Sequence, residues 1–404
     1  MMRPIRETMP LVEARARVLD SAAPIGRTER AALDAAAGRV LAESPTAPLD
    51  VPPFDRAAMD GYAVRAEDTF GAGRHDPRTL RSIGTLYTGD APARGIEAGT
   101  CLEIATGAPM PPGADAVVIV EDTERASGSP DVRMFSPVYP GQNIGRRGAD
   151  IKAGTAVIER GALLNPSRIG ALAAIGATDV EVYARPRVAI VSTGNEIVQP
   201  GVPLAPGQIY DINRFTLSSI VAAHGGEPVA LPAPADTIEA LSKALDAALE
   251  SDLVVFSGGS SVGARDLIVD VLQQRGQILF HGIAVKPGKP TLLARVDGKS
   301  ILGMPGYPTS CLSNGYILLA PMLRRIARLP EHRPEVRRLP LAKRVVSAAG
   351  RHQFYSVRIL DGAAVPAFKA SGDITSMAHA DGYIEIPANV DLVEAGDTVE
   401  VILF

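Results

Sequence analysis

Between Arg187 and Arg328 short apolar runs alternate with longer amphipathic ones, and this regularity constrains the fold more than any other feature of the chain. RVAIVST (187–193) is a near-continuous apolar run, the kind found in parallel strands covered on both faces. A helix is expected over NRFTLSSIVAAHG, ending at Gly225, followed by a strand in EPVALPA. The next helix, DTIEALSKALDAALE, places Ile238, Leu241, Leu245 and Leu249 on one face, with Asp236 as its N-cap. LVVF, the turn SGGSSVGARD, the helix DLIVDVLQQRG and the strand QILFHGIAV come next. After TLLARV and KSILGMP, the long helix PTSCLSNGYILLAPMLRRIA closes the unit. Strands and helices alternating at these lengths specify a doubly wound α/β sheet, which binds ligands at the carboxyl ends of its strands.

At 404 residues the chain is too long for one ordinary core, and the rest of it reads differently. Residues 46–149 are rich in Pro and Gly with short strands (GYAV, CLEIA, AVVIV, VRMFSPV), which predicts a small β-rich domain. The flanking pieces, Leu11 to Glu43 and Gly148 to Ala184, read as helical. The expected division is therefore a helical or mixed N-terminal domain (1–45 plus 150–184) carrying an inserted β-rich domain (46–149). The α/β domain (185–330) follows, and then a C-terminal domain (331–404). In the last, FYSVRIL, GYIEIP and TVEVILF separated by turns predict a compact β-barrel.

Composition narrows the class. With 46% hydrophobic residues, 21% charged residues and no apolar run of bilayer length, no membrane span is expected. The opening MMRPIRETMPLVEARARVLD lacks a cleavable signal pattern and reads as an amphipathic helix presenting Leu11, Val12, Ala16 and Leu19. A net charge of −4 argues against broad nucleic-acid binding. Cys101 and Cys311 lie far apart and are expected to pack as small hydrophobes, and the six histidines are scattered, so no zinc cluster is foreseen. The class this leaves is a cytoplasmic enzyme.

The chemistry concentrates in SGGSSVGARD. Such a turn lets backbone N–H groups and a helix N-terminus approach an anion. It has neither the Gly-Lys-Ser/Thr ending of a P-loop nor G-x-G-x-x-G. It also delivers Asp266 where a negative ligand would sit. STGNEIV (192–198), APAD (233–236), SGGSSVGARD (257–266) and KPGKP (286–290) all fall at strand ends, which gathers Asn195, Glu196, Asp236, Asp266, Lys286 and Lys289 on one rim. Singly, Asp236 and Asp266 read as helix caps and the lysines as solvated. Together, carboxylates beside a phosphate cradle fit a Mg²⁺ ion bridging them to the ligand.

VPPFDRAAMDGYAV (51–64), TGAPMPPGADAVVIVED (106–122), GQNIGRRGADIKAG (141–154), STGNEI, SGGSSVGARD, KPGKP and GMPGYPTS occur in one order. In this combination the chain resembles the MoeA family, whose eukaryotic relatives include the gephyrin E domain. The resemblance implies a molybdopterin molybdenumtransferase, which accepts adenylylated molybdopterin, inserts the metal from molybdate and releases AMP with Mg²⁺ assisting. It implies four domains per subunit and an elongated homodimer, with the adenylyltransferase and molybdoenzyme maturation proteins as further partners. By motif matching, Asp60, Thr106 and Asp150 complete the site across the dimer. Glu196, Asp236 and Asp266 match the acidic positions of metal-assisted cleavage. Ser257, Gly258, Gly259, Ser260, Ser261, Gly263, Pro305, Gly306 and Pro308 match the turns that bind the pterin nucleotide. Lys286, Lys289, Pro290 and Ser310 match positions near the oxyanion, with Arg351 and Thr375 from the barrel.

Arg146 and Arg147 are further candidates for holding phosphate, against an ordinary surface role, and Tyr62 and His281 read as packing residues. Two departures stand out. Tyr307 replaces the family's common Asn, and Asn195 replaces its Asp, which leaves Glu196 to carry the metal contact there. The alternatives are an adenylyltransferase, whose fold resembles 187–328 alone, a tungstate-preferring insertase, and a scaffold of the gephyrin kind.

Overall fold

The computed structural model describes residues 7–258 and 267–404. These form two compact units: one is built from Arg30–Ala37 and Leu41–Glu181, the other from the rest of the described chain. No helix among the described residues is long and apolar enough to cross a membrane.

The smaller unit centres on a six-stranded sheet ordered Ala116–Ile119, Gly61–Val64, Thr100–Ile104, Arg78–Leu86, Asp131–Met134, Thr123–Arg125. Both faces are covered. Tyr62, Leu80, Cys101, Val118 and Met134 are buried on one side, and Ala63, Leu86, Leu102, Ile104 and Val117 on the other. Gly61 is required here, because a Cβ on it would lie 1.9 Å from the Val118 carbonyl oxygen of the neighbouring strand. Arg78–Leu86, the longest strand, was not expected from sequence. Its RTLRSIGTL is polar and its register is broken by a bulge between Ser82 and Thr85, so the period-2 signal is erased. The helix Pro166–Ala174 opens with Pro166 in its first turn and is capped by Asn165, whose side chain accepts the Arg168 N–H at 2.9 Å.

The larger unit contains the anticipated α/β sheet, ordered Glu227–Ala230, Arg187–Ser192, Leu253–Ser257, Lys299–Met304, Leu292–Val296, Gln277–His281. The first four strands are parallel and the last pairings are antiparallel. Two successive antiparallel pairings restore the direction, so Gln277–His281 points the same way as the central strands. One face is covered by the helix Asn213–Ala223 and the helical segment 308–326, through Leu217, Val221, Cys311, Leu318 and Leu323. The other is covered by Ile238–Ala248 and Leu267–Arg275, through Leu241, Leu245, Ile268 and Leu272.

Three local expectations need correction. The N-terminal helix, Leu11–Asp20, buries Leu11, Ala14 and Val18 in the α/β core, while Val12 is 80% exposed and Ala16 also faces solvent. This helix therefore packs on the α/β layer, whereas the sequence reading grouped it with 150–184. The N-cap of Ile238–Ala248 is Thr237 rather than Asp236: Thr237 has the extended backbone of a cap and its hydroxyl accepts the Ala240 N–H at 3.1 Å. Ile238 is consequently exposed in the first turn, and the buried face is Leu241, Leu245 and Ala248. The long helix after GMPGYP is interrupted by a π-helical turn at Gly315–Leu319, where a Cβ on Gly315 would meet Ile220 Cδ1 at 2.5 Å.

The last 70 or so residues form the expected barrel. Ala363–Pro366, His352–Leu360, Gly382–Ile386, Thr398–Leu403 and Val336–Pro340 pair in that order. A bridge from Leu341 back to Ala364 closes the ring around Val357, Ile384, Ile386 and Val401.

Candidate functional site

The site on the larger unit follows from its topology. Arg187–Ser192 and Leu253–Ser257 are adjacent, yet their chains leave toward opposite sides of the sheet, which opens a crevice at their carboxyl ends. Thr193 leaves the first strand with its N–H donating to the Ser257 carbonyl at 2.9 Å. Gly258 leaves the second at φ +91° with its N–H on Met304 O at 3.1 Å, and a Cβ there would lie 2.7 Å from Thr193 O. Only glycine suits this crossing. Gly259, Ser260, Ser261, Gly263 and Asp266 lie outside the described residues.

Two acid-bearing loops meet at this edge. Asn195 Oδ1 accepts the Asp236 backbone N–H at 3.4 Å, a long bond that nonetheless joins the 194–196 loop to the 234–236 loop. Glu196, exposed, folds back toward Gly194, whose φ is +133°. Hard carboxylate oxygens on neighbouring loops suit a Mg²⁺ ion in kind. Among the described residues no group of three or more His, Cys, Asp or Glu gathers to hold a metal, and the third expected carboxylate, Asp266, is outside them.

The lysine-bearing crossover leaves from the same edge, because Gln277–His281 runs parallel to the central strands. Its Val285–Lys286 segment pairs in parallel with His352–Gln353 of the barrel, which sets Val285 opposite His352 and Lys286 opposite Gln353, two residues after Arg351. Gly288, at φ +110°, packs against the buried Asn314, which donates to Gly288 O at 3.1 Å. Lys289 and Pro290 are half-buried beside it, and the Lys289 carbonyl accepts from the Ile283 and Thr291 N–H groups at 2.9 Å each. Pro305 is buried, Gly306 and Tyr307 (68%) are exposed, and Pro308 starts the helix that buries Ser310. Thr309 donates its N–H to Ser371 O at 3.1 Å, and Ser313 reaches Met377 Sδ at 3.8 Å. The barrel segment carrying the exposed Thr375 is thereby docked on the helix of Ser310. Lys286, Lys289, Ser310, Arg351 and Thr375 thus belong to one connected set of segments.

Sequence reading missed two residues of this edge. Asp211 and Asn213 are 3% and 7% exposed. Asn213 donates to Ser257 Oγ (2.7 Å) and to Gly306 O (2.8 Å), while Asp211 Oδ1 accepts the Arg214 N–H at 3.0 Å. The signal was an Asp-x-Asn ahead of a helix and after a strand end. Cys311, beneath Ser257, is a buried free thiol that burial pushes up to about 12, and Cys101 behaves likewise, so both pack as small hydrophobes. Tyr62 is a core residue, as expected, and His281 ends its strand half-buried.

The smaller unit carries the other group. Asp60, ahead of Gly61, accepts the Thr106 backbone N–H at 2.7 Å, and this bond together with the Thr106 hydroxyl holds its carboxyl below the usual range. Asp150 is exposed, with its N–H on Val51 O at 3.0 Å, and borders an open cleft with Lys152, Thr155 and Ser167. Arg146 pairs with Asp55 at 2.8 Å and Arg147 with Asp50 at 2.6 Å. Both arginines are therefore committed to ion pairs with this unit's own carboxylates.

The fold and this rim define a multidomain α/β protein that gathers glycine turns, oxygen donors and lysine-bearing segments along the carboxyl-end edge of its sheet, an arrangement suited to a phosphate-bearing ligand. The sequence profile of the MoeA N-terminal region (domain I and II) matches residues 9–176, that of the probable molybdopterin binding domain 189–325, and that of the MoeA C-terminal region (domain IV) 338–404. The chain is 37% identical to molybdopterin molybdenumtransferase 2 of Mycobacterium tuberculosis over 91% of its own length and 93% of the relative's. It is 33% identical to the molybdopterin molybdenumtransferase of Haemophilus influenzae, over 97% and 98%. Two solved structures of molybdopterin biosynthesis MoeA proteins from Pyrococcus horikoshii superpose with TM-scores of 0.85 and 0.80. They are 40% and 30% identical, and each alignment covers 98% of this chain, with 99% and 100% of the respective structure. The chain belongs to the MoeA family.

Proposed function

We propose that the chain is a molybdopterin molybdenumtransferase, making molybdenum cofactor by inserting molybdenum from molybdate into adenylylated molybdopterin and releasing AMP. The single observation that carries the site assignment is the Asn195–Asp236 hydrogen bond. It holds two carboxylate-bearing loops together at the sheet edge from which the lysine crossover also leaves. Glu196, Asp236 and Asp266 would hold Mg²⁺, which when bound neutralises pyrophosphate charge. The turn that follows Gly258 would take the phosphates on main-chain N–H groups, and Lys286, Lys289 and Ser310 would attract and orient the oxyanion. Arg351 and Thr375 would supply donors from the barrel. Asp60, Thr106 and Asp150 serve the same reaction in a cytoplasmic homodimer of four-domain subunits, with boundaries near residues 45, 150, 185 and 330 and with the helix Leu11–Asp20 counted with the α/β domain.

Two measurements test this. Purified protein given adenylylated molybdopterin and molybdate should release AMP, and EDTA should suppress the release. Unadenylylated molybdopterin with ATP should yield no nucleotide adduct. Adduct formation without AMP release would make the chain an adenylyltransferase instead. Mixing Asp60→Asn with Asp236→Asn subunits should restore part of the activity if the homodimer shares its residues, and verified heterodimers without recovery would refute the sharing.

A further inference from the structure

Asn213 is the first residue of the Asn213–Ala223 helix, and the body of that helix is fixed by Leu217, Ile220 and Val221 in the core. Its side chain serves a different purpose. The single nitrogen Nδ2 donates both of its protons, one to Ser257 Oγ at 2.7 Å and one to Gly306 O at 2.8 Å. Ser257 ends the strand that enters the glycine-rich turn, and Gly306 lies in the turn before the helix of Ser310. These turns already touch, since a Cβ on Gly306 would lie 3.5 Å from Gly258 Cα. The partners are 44 and 93 residues away in sequence, so no local backbone geometry could set this spacing. Asp211, through its Oδ1 bond to the Arg214 N–H, fixes the start of the helix and hence the place from which Asn213 reaches.

Chemistry restricts the position. A carboxamide offers two donors on one planar atom. Aspartate has none when ionised and would set an oxygen against the Gly306 carbonyl, while serine has one donor on a shorter arm. We propose that Asn213 is a positioning residue of the binding rim: its two hydrogen bonds set the separation of the strand end Ser257–Gly258 from the Gly306–Ser310 turn, and so the fit of the pterin nucleotide beside them. The identity of that ligand rests on the molybdenumtransferase reading, whereas the tie between the turns does not.

The test therefore has two arms, run on the full chain with Asn213→Ala and Asn213→Asp. Hydrogen exchange is read first. Both variants should speed amide exchange by about fivefold or more in peptides covering 253–258 and 303–310, with 187–192 unchanged, as expected of a local opening rather than a global one. Turnover comes second. Asn213→Ala should raise KM for adenylylated molybdopterin about tenfold with kcat within about threefold, the pattern of lost binding geometry. Asn213→Asp should do worse, and Ser257→Ala added to Asn213→Ala should raise KM by less than the product of the two single effects, because they act through one bond. Unchanged exchange in both turns, or exchange that rises equally in the 187–192 strand, overturns the proposal. If the wild-type chain shows no turnover, the functional reading falls while the exchange arm still decides the role of Asn213.

Discussion

Asp60 accepts the backbone N–H of Thr106 at 2.7 Å. Two residues 46 positions apart are thus fixed at one corner of the β-rich sheet, and the carboxylate is held ionised by that N–H and by the Thr106 hydroxyl. Asp60→Asn should lower AMP release by about 100-fold, the scale of losing a preorganised electrostatic group. The urea midpoint should stay where it is. Thr106→Val, which keeps the backbone donor and loses only the hydroxyl, should cost about tenfold or less. Equal losses in the two variants would assign the work to the hydroxyl.

Gly258 tests the glycine-rich turn. With φ at +91° and Thr193 O 2.7 Å from where a Cβ would sit, Gly258→Ala must move one of the two strand ends. The left-handed conformation alone should cost about 1–2 kcal/mol in urea denaturation. Substrate affinity should fall further than this stability loss explains. A variant with wild-type KM would remove the turn from the binding site.

Asp236 and Thr237 separate function from capping. Because the Thr237 hydroxyl holds the Ala240 N–H, Thr237→Ala should cost about 1 kcal/mol. Asp236→Ala should stay within about 0.5 kcal/mol, as a surface change away from any cap does. Activity should show the reverse order. Were Asp236→Ala to lose stability and keep turnover, the capping role inferred from sequence would stand and the metal role would go.

An acid-side prediction comes from Glu385. Burial disfavours its charge, but hydrogen bonds from His352 (3.1 Å) and Arg15 (3.0 Å) outweigh this and hold the carboxyl below its ordinary value of 4.5. A carboxyl whose folded value is depressed adds stability above its unfolded value, and that stability is lost as pH falls through the folded one. Between pH 4.5 and more acidic conditions the wild-type Tm should therefore fall more steeply than that of Glu385→Gln. Parallel Tm curves for the two proteins would contradict the pairing.

How far the sequence could reach differs by region. The α/β strands were legible because both of their faces are buried, so Val188 to Val191 and Leu253 to Phe256 are unbroken apolar runs. Arg78–Leu86 was not, since its burial alternates irregularly across a bulge. The cap was misplaced by one residue because Asp and Thr have the same capping chemistry; the extended backbone of Thr237 decides between them, and sequence does not carry it. The chemistry of the rim was visible because topology alone sends successive strand ends to one edge. Asn213 was invisible for the opposite reason. A polar residue at a helix start is ordinary, and its meaning lies in partners 44 and 93 residues away.

The central claim is that this chain places molybdenum on a pterin while it cleaves the nucleotide. The most direct measurement is a single turnover with excess enzyme over adenylylated molybdopterin, with and without molybdate. AMP is followed by chromatography, and molybdenum in the isolated pterin product by mass spectrometry of the metal. The account predicts AMP and pterin-bound molybdenum in equal amounts, both strongly reduced in Asp236→Asn. AMP released with no molybdenum on the pterin, or neither product formed by the wild-type protein, would contradict it.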